Sequence, residues 1–128
     1  KIPEQENIHV HSEYVPDWAV EYFFSQADVL VLPYLRGSAS GVAAIGMHFG
    51  LPIIASDLPE MKEQLEGYYG ASFPVNWCYV ADLASKLEAL ARAKNKGWNI
   101  GKFKVPQRLT WKRITEQWME VLNVSILR

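Results

Sequence analysis

This sequence predicts an α/β fold, a parallel sheet covered by helices, on three observations. The runs Asp28-Val29-Leu30-Val31-Leu32-Pro33 and Leu51-Pro52-Ile53-Ile54-Ala55-Ser56 are apolar throughout and too short for helices. Such runs suit strands buried on both faces. Residues 80–94 instead repeat Val80, Leu83, Ala84, Leu87, Leu90 and Ala91 at helical spacing, an amphipathic helix. Strand-like and helix-like segments alternate along the chain, which is the pattern of strands joined by helical crossovers.

Taken in order, Ile8-His9-Val10-His11 alternates apolar and polar residues and predicts a short half-buried strand. Residues 17–24 have helical spacing behind Asp17 as a cap. The Asp28 run is a strand closed by Pro33. The glycine- and serine-rich stretch SASGVAAIGMHFG, from Ser38, turns into a helix, and the Leu51 run is the next strand. Pro52 stands at its start, where a missing N–H does least harm. Residues 59–66 are polar and helical and end at Gly67, with Asp57 read as cap and Glu60 as first-turn acid. Residues 71–75 form a weak edge strand that tolerates Pro74. Residues 95–107 are a basic loop, and Thr110 caps a last helix to about Asn123 with Trp111 and Trp118 on its core face.

The 128 residues suffice for one domain, 1–128, and not for two. A net charge of −1 provides no overall basic field and argues against nucleic acid as a partner. The single cysteine, Cys78, allows no internal disulfide and reads as a packed thiol, which fits a reducing, cytoplasmic setting. No apolar run approaches the roughly 20 residues of a membrane span. His9 and His11 share one face of a strand, but no third metal ligand stands near them in the sequence. His48, on the helix after the turn, reads as packed or exposed. The basic residues Lys94, Lys96, Lys102, Lys104, Arg108, Lys112 and Arg113 suit a solvated loop or a peripheral contact with the inner face of a membrane.

In open α/β sheets ligands sit beyond the carboxyl ends of strands, where turn amides and a helix dipole face outward. The turn after Pro33 is such a place. Small residues at Gly37, Ala39 and Gly41 let a phosphate approach the backbone, and Ser38 and Ser40 add hydroxyls. The same residues also suit a plain helix cap and turn, and no dinucleotide fingerprint or phosphate-loop lysine motif is present.

The succession YFFSQADVLVLPY, SGVAAIGMHFGLPIIASDLPEMKEQL, DLASKLEALARA and LTWKRI resembles the C-terminal half of GT-B retaining glycosyltransferases, the group that includes sucrose synthases and many bacterial mannosyl- and glucosyltransferases. The resemblance runs from about Ile8 to Leu122. It implies a Rossmann-like sheet, a partial GT-B C-terminal domain without its first two strand-helix units, and transfer of a hexose. The donor would be a nucleoside diphosphate sugar bound as substrate, with no cofactor and no metal. Ser38, Ser40, Gly41 and Val42 match the diphosphate-binding turn; Glu13, Tyr14 and Val15 match the loop beside the nucleobase; Tyr34, Arg36 and Gly37 lie on the loop near the donor.

Many family members carry two glutamates separated by seven residues across this turn, where Gly37 and Ile45 stand here. The PY…SG pattern of Pro33-Tyr34 and Ser40-Gly41 fits a subset without that pair. The resemblance also implies a sugar or lipid-linked acceptor held by an N-terminal domain. Without the two units the Ile8 strand would lie across a gap in the sheet, filled by displacement of that strand or by a companion chain, as in self-association. A non-catalytic nucleotide- or phosphate-binding module is the second expectation. A receiver-type signalling domain fits less well, for want of an acidic cluster at the end of the first strand.

Overall fold

The computed structural model describes residues 6–68, 70–73, 79–96 and 104–126. In chain order these form α1 (Asp17–Gln26), β1 (Leu30–Leu32), α2 (Gly41–His48), β2 (Ile53–Ser56), α3 (Pro59–Leu65), β3 (Gly70–Phe73), α4 (Tyr79–Asn95), a 3-10 turn (Gln107–Leu109) and α5 (Trp111–Ile126). The strands make one parallel sheet in the order β1-β2-β3. This is the α/β, Rossmann-like arrangement expected, with the weak third strand at an edge. Pro74, Val75 and Cys78 lie outside the described residues.

β2 is the axis of the core. All four of its residues are buried, so it is covered on both faces, as its unbroken apolar run requires. Ile53 and Ala55 join Leu32, Ala43, Met47 and Met61 in one cluster, which draws on β1, α2 and α3 together. α2 packs closely because of Gly46, where a Cβ would run into the Leu30 side chain. Gly70 works the same way in the sheet: a Cβ there would meet the carbonyl of Ile53, its own register partner.

α2 ends in a Schellman motif. Gly50 has φ 71° and donates its N–H to Met47 O at 3.1 Å, while Leu51 N–H reaches Gly46 O at 3.0 Å. The chain can therefore turn at once into β2. Phe24 against Phe49, with ring centroids 5.5 Å apart, holds α1 to this corner.

Several expectations are corrected. Residues 8–11 form no strand: Ile8 makes an isolated bridge, no ladder extends from it, and Ile8 and Val10 are exposed. The N-cap of α1 is Pro16, with no side-chain cap, and Asp17 is the first helical residue. The N-cap of α3 is Leu58; Asp57 pairs with Lys62 across 2.6 Å instead. Trp111 and Trp118 are not core residues. They are 83% and 63% exposed, because among the described elements α5 rests chiefly on the 3-10 turn. Thr110 does cap α5, accepting from Arg113 N–H at 3.4 Å.

Tyr68, between α3 and β3, packs against the core. Its hydroxyl donates to Leu51 O at 2.8 Å, and burial pushes its pKa from 10.0 up to about 12. Desolvation disfavours the phenolate. The unfolded chain loses this proton near pH 10.0 and the folded chain keeps it to about 12, so the contribution is complete below 10.0 and lost across that window. Urea unfolding at pH values on either side of the window is expected to show this decline, and Tyr68→Phe is expected to flatten it.

Candidate functional site

The site is built where β1 ends. Leu32 hands over to Pro33, and the chain crosses from Tyr34 to Ser40 before α2 begins. The carboxyl end of a parallel strand and the amino end of the following helix thus open to the same side. Residues 34 and 36–42 line an open concavity of about 360 Å³, at the small end for ligand pockets.

Ser40 is the fixed point of this turn. It is buried, with extended backbone angles, and its Oγ accepts the Ala43 N–H at 3.2 Å as the cap of α2. Its own backbone is held from a distance of 24 residues. Ser40 N–H donates to Gln64 Oε1 at 2.7 Å, and Gln64 Nε2 donates to Ser40 O at 2.8 Å. One side-chain amide therefore satisfies both backbone groups of Ser40.

Which amides remain follows by subtraction. Ser40 N–H is used by Gln64 and Ala43 N–H by the cap, while Ala44 N–H bonds to Ser40 O. Among the described residues no partner takes the N–H of Gly41 or Val42. These two open α2, where the helix dipole adds partial positive charge. Gly41 has open space around its Cβ position and an ordinary φ, so packing within the chain does not require a glycine there.

The hydroxyls admit similar accounting. Tyr34 Oη and Ser40 Oγ are 3.2 Å apart, and either can donate to the other. One of the two hydroxyl protons is used between them and one is left to point elsewhere. Arg36 is exposed, lines the concavity and makes no ion pair among the described residues. Among the described residues no carboxylate lines it. Two amides, a hydroxyl, a guanidinium and a helix amino end form a donor set suited to an anion.

The other predicted residues lie next to this turn. Val15 and Val42 line one apolar cavity together with His11, Phe23, Phe24 and Ile45. Glu13 and Tyr14 line the adjoining one with Trp18 and Tyr22. Val42 thus joins the turn to the loop at 13–15. Of the two positions where the resemblance puts glutamates, Ile45 faces the apolar cavity and Gly37 has φ 155°, a conformation that strains any side chain. Ser38 is exposed on the concavity.

Of the other candidates, His11 borders the cavity that Val42 lines, and the rest are not among the residues lining the concavity. His11 lies edge-on to Phe23 at 5.1 Å and His48 to Phe49 at 5.4 Å, and no group of three metal-ligating side chains occurs among the described residues. In the basic stretch Lys94 pairs with Asp28, Arg113 with Glu116, and Arg108 binds backbone carbonyls; Lys102 lies outside the described residues. No described helix is long and apolar enough to cross a membrane.

Sequence reasoning missed Gln64 and misread Arg108. A glutamine in the last turn of a polar helix carries no local sign that it reaches a turn far behind it in sequence. Arg108 was one charge among several, whereas its Nη2 donates to Glu63 O and Glu66 O, both at 2.7 Å, and caps the end of α3.

This strand-turn-helix unit sets two backbone N–H groups and a guanidinium on one concave surface of an α/β domain. The model of the family described as glycosyl transferases group 1 matches residues 2–93, and the chain belongs to that family of glycosyl transferases. The match takes in the turn, α2, α3 and β3, and leaves Arg108 and α5 beyond it. No curated protein and no solved structure matches the chain.

Ser40→Ala is expected to lower stability by about 1 kcal/mol in urea unfolding, through loss of the α2 cap, and Ser40→Asn to recover most of it.

Proposed function

We propose that this chain is the donor-binding part of a retaining GT-B glycosyltransferase, which moves a hexose from a nucleoside diphosphate to an acceptor. The observation that carries this reading is the pair of unpartnered amides, Gly41 and Val42, at the mouth of α2 beside an unpaired Arg36, in a member of the glycosyl transferases group 1 family. The diphosphate rests on those amides, with Ser38 and the Tyr34–Ser40 hydroxyl pair at its edge. The base lies toward Glu13, Tyr14 and Val15, with the apolar cavity at Val42 between. No resident cofactor or metal takes part, and the donor is a substrate.

When the sugar–phosphate bond breaks, negative charge grows on the departing diphosphate. Fixed donors aimed at that charge lower the barrier because they need no reorganisation. Gly41 and Val42 N–H, the dipole of α2 and Arg36 supply that field from this chain. The remainder of the enzyme holds the sugar or lipid-linked acceptor, and the setting is cytoplasmic or peripheral at the inner membrane face.

A second reading, a non-catalytic phosphate- or nucleotide-binding module, is favoured by one observation: among the described residues no carboxylate lines the concavity. Release of sugar from a bound donor, assayed with the remainder of the enzyme present, separates the two, since only the transferase turns donor over.

Calorimetric titration of the chain with uridine and guanosine diphosphates is expected to show binding of one of them. Arg36→Ala should weaken it about tenfold to a hundredfold, the worth of a charge-assisted hydrogen bond. Gly41→Val should weaken it at least as much by crowding the backbone, with stability unchanged or higher because its site is open within the chain. Unchanged affinity in both variants would remove the diphosphate from this turn.

A further inference from the structure

We propose that Gln64 is a positioning residue for the donor site: it touches no ligand, and it fixes the turn whose amides do. The inference rests on the diphosphate reading above and adds a residue to it. Its basis is the two-point contact, Ser40 N–H to Gln64 Oε1 at 2.7 Å and Gln64 Nε2 to Ser40 O at 2.8 Å.

A planar side-chain amide that donates and accepts at once on one residue behaves as a strand partner would. It fixes the orientation of the peptide planes on both sides of Ser40. The plane between Ser40 and Gly41 carries the Gly41 N–H together with the Ser40 carbonyl that Gln64 holds. Gln64, together with the Ala44 N–H that bonds to the same carbonyl, therefore sets the direction of the first amide offered to the anion. It also occupies the Ser40 N–H, so the anion is confined to Gly41 and Val42.

The clamp is held in turn at its far end. Gln64 lies in the last turn of α3, and Arg108 bonds to the carbonyls of Glu63, Gln64 and Glu66 that end this helix. Met61 buries the opposite end of the same short helix in the core. A side chain on such a fixed helix holds its partner to within the tolerance that oriented hydrogen bonds need. Arg108 lies beyond the residues matched by the family, 2–93.

The test uses the whole chain in two variants. Gln64→Leu keeps the volume and removes both bonds; Gln64→Glu keeps the acceptor for Ser40 N–H and removes the donor to Ser40 O. Binding of uridine or guanosine diphosphate is measured calorimetrically, and exchange of the Ser40 amide proton is followed by NMR, both where circular dichroism shows the variant folded. Gln64→Leu is expected to lose about tenfold in affinity and to expose the Ser40 amide to exchange, with a several-fold loss and a protected amide in Gln64→Glu.

A residue that merely stabilises the fold would lower the melting temperature and leave the affinity of the folded chain unchanged. Wild-type affinity in both variants, with tight wild-type binding, overturns the positioning role alone. A wild-type chain that binds neither nucleotide overturns the diphosphate reading and the positioning role together. A Ser40 amide that exchanges equally fast in the wild type and in Gln64→Leu overturns the clamp itself.

Discussion

Both backbone groups of Ser40 end on the amide of Gln64, and this pair of hydrogen bonds joins the two halves of the structure that the site needs. On one side lies the turn from β1 into α2; on the other, α3 and the segment that Arg108 brings against it. Buried polar groups left without partners are costly, so each half keeps the other in place. With Ser40 fixed, the cap on Ala43 and the start of α2 follow, and Gly41 and Val42 are left facing outward.

This arrangement needs a rigid floor, and the sheet supplies it through close packing. β2 is buried on both faces, and two glycines let its neighbours approach: Gly46 toward Leu30 and Gly70 toward the Ile53 carbonyl. The Schellman turn at Gly50 returns the chain to β2 at once, so α2 begins and ends at fixed points. Gly41 differs from these, since nothing in the chain crowds it. A glycine that packing does not demand is the kind a ligand's approach explains, and the proposed diphosphate gives it that reason.

Much of the fold was legible because it rests on local pattern. The unbroken apolar runs at Leu30 and Ile53 have the length and composition of buried parallel strands, and the spacing of Leu83, Leu87 and Leu90 is that of α4. Ser40 and Thr110 were legible as caps because the capping contact lies within one turn of helix. The errors have a common source. A strand at Ile8 depends on a ladder to join, and a core role for Trp111 and Trp118 depends on an element to cover them; neither partner is visible in the local sequence. The site divides in the same way. The turn's own composition pointed to Gly41, and the resemblance to Val42, Tyr34 and Arg36, while Gln64 acts across 24 residues and Arg108 across 42 to 45.

The central claim is that the turn offers two amides and withholds a third. Amide chemical-shift mapping of the isotope-labelled chain during titration with a nucleoside diphosphate tests it most directly. The account predicts that the Gly41 and Val42 amides move furthest and saturate together, with the Ser40 amide, already bonded to Gln64, moving less. Largest shifts away from residues 34–42, or a Ser40 amide that follows Gly41 and Val42 in full, would contradict it.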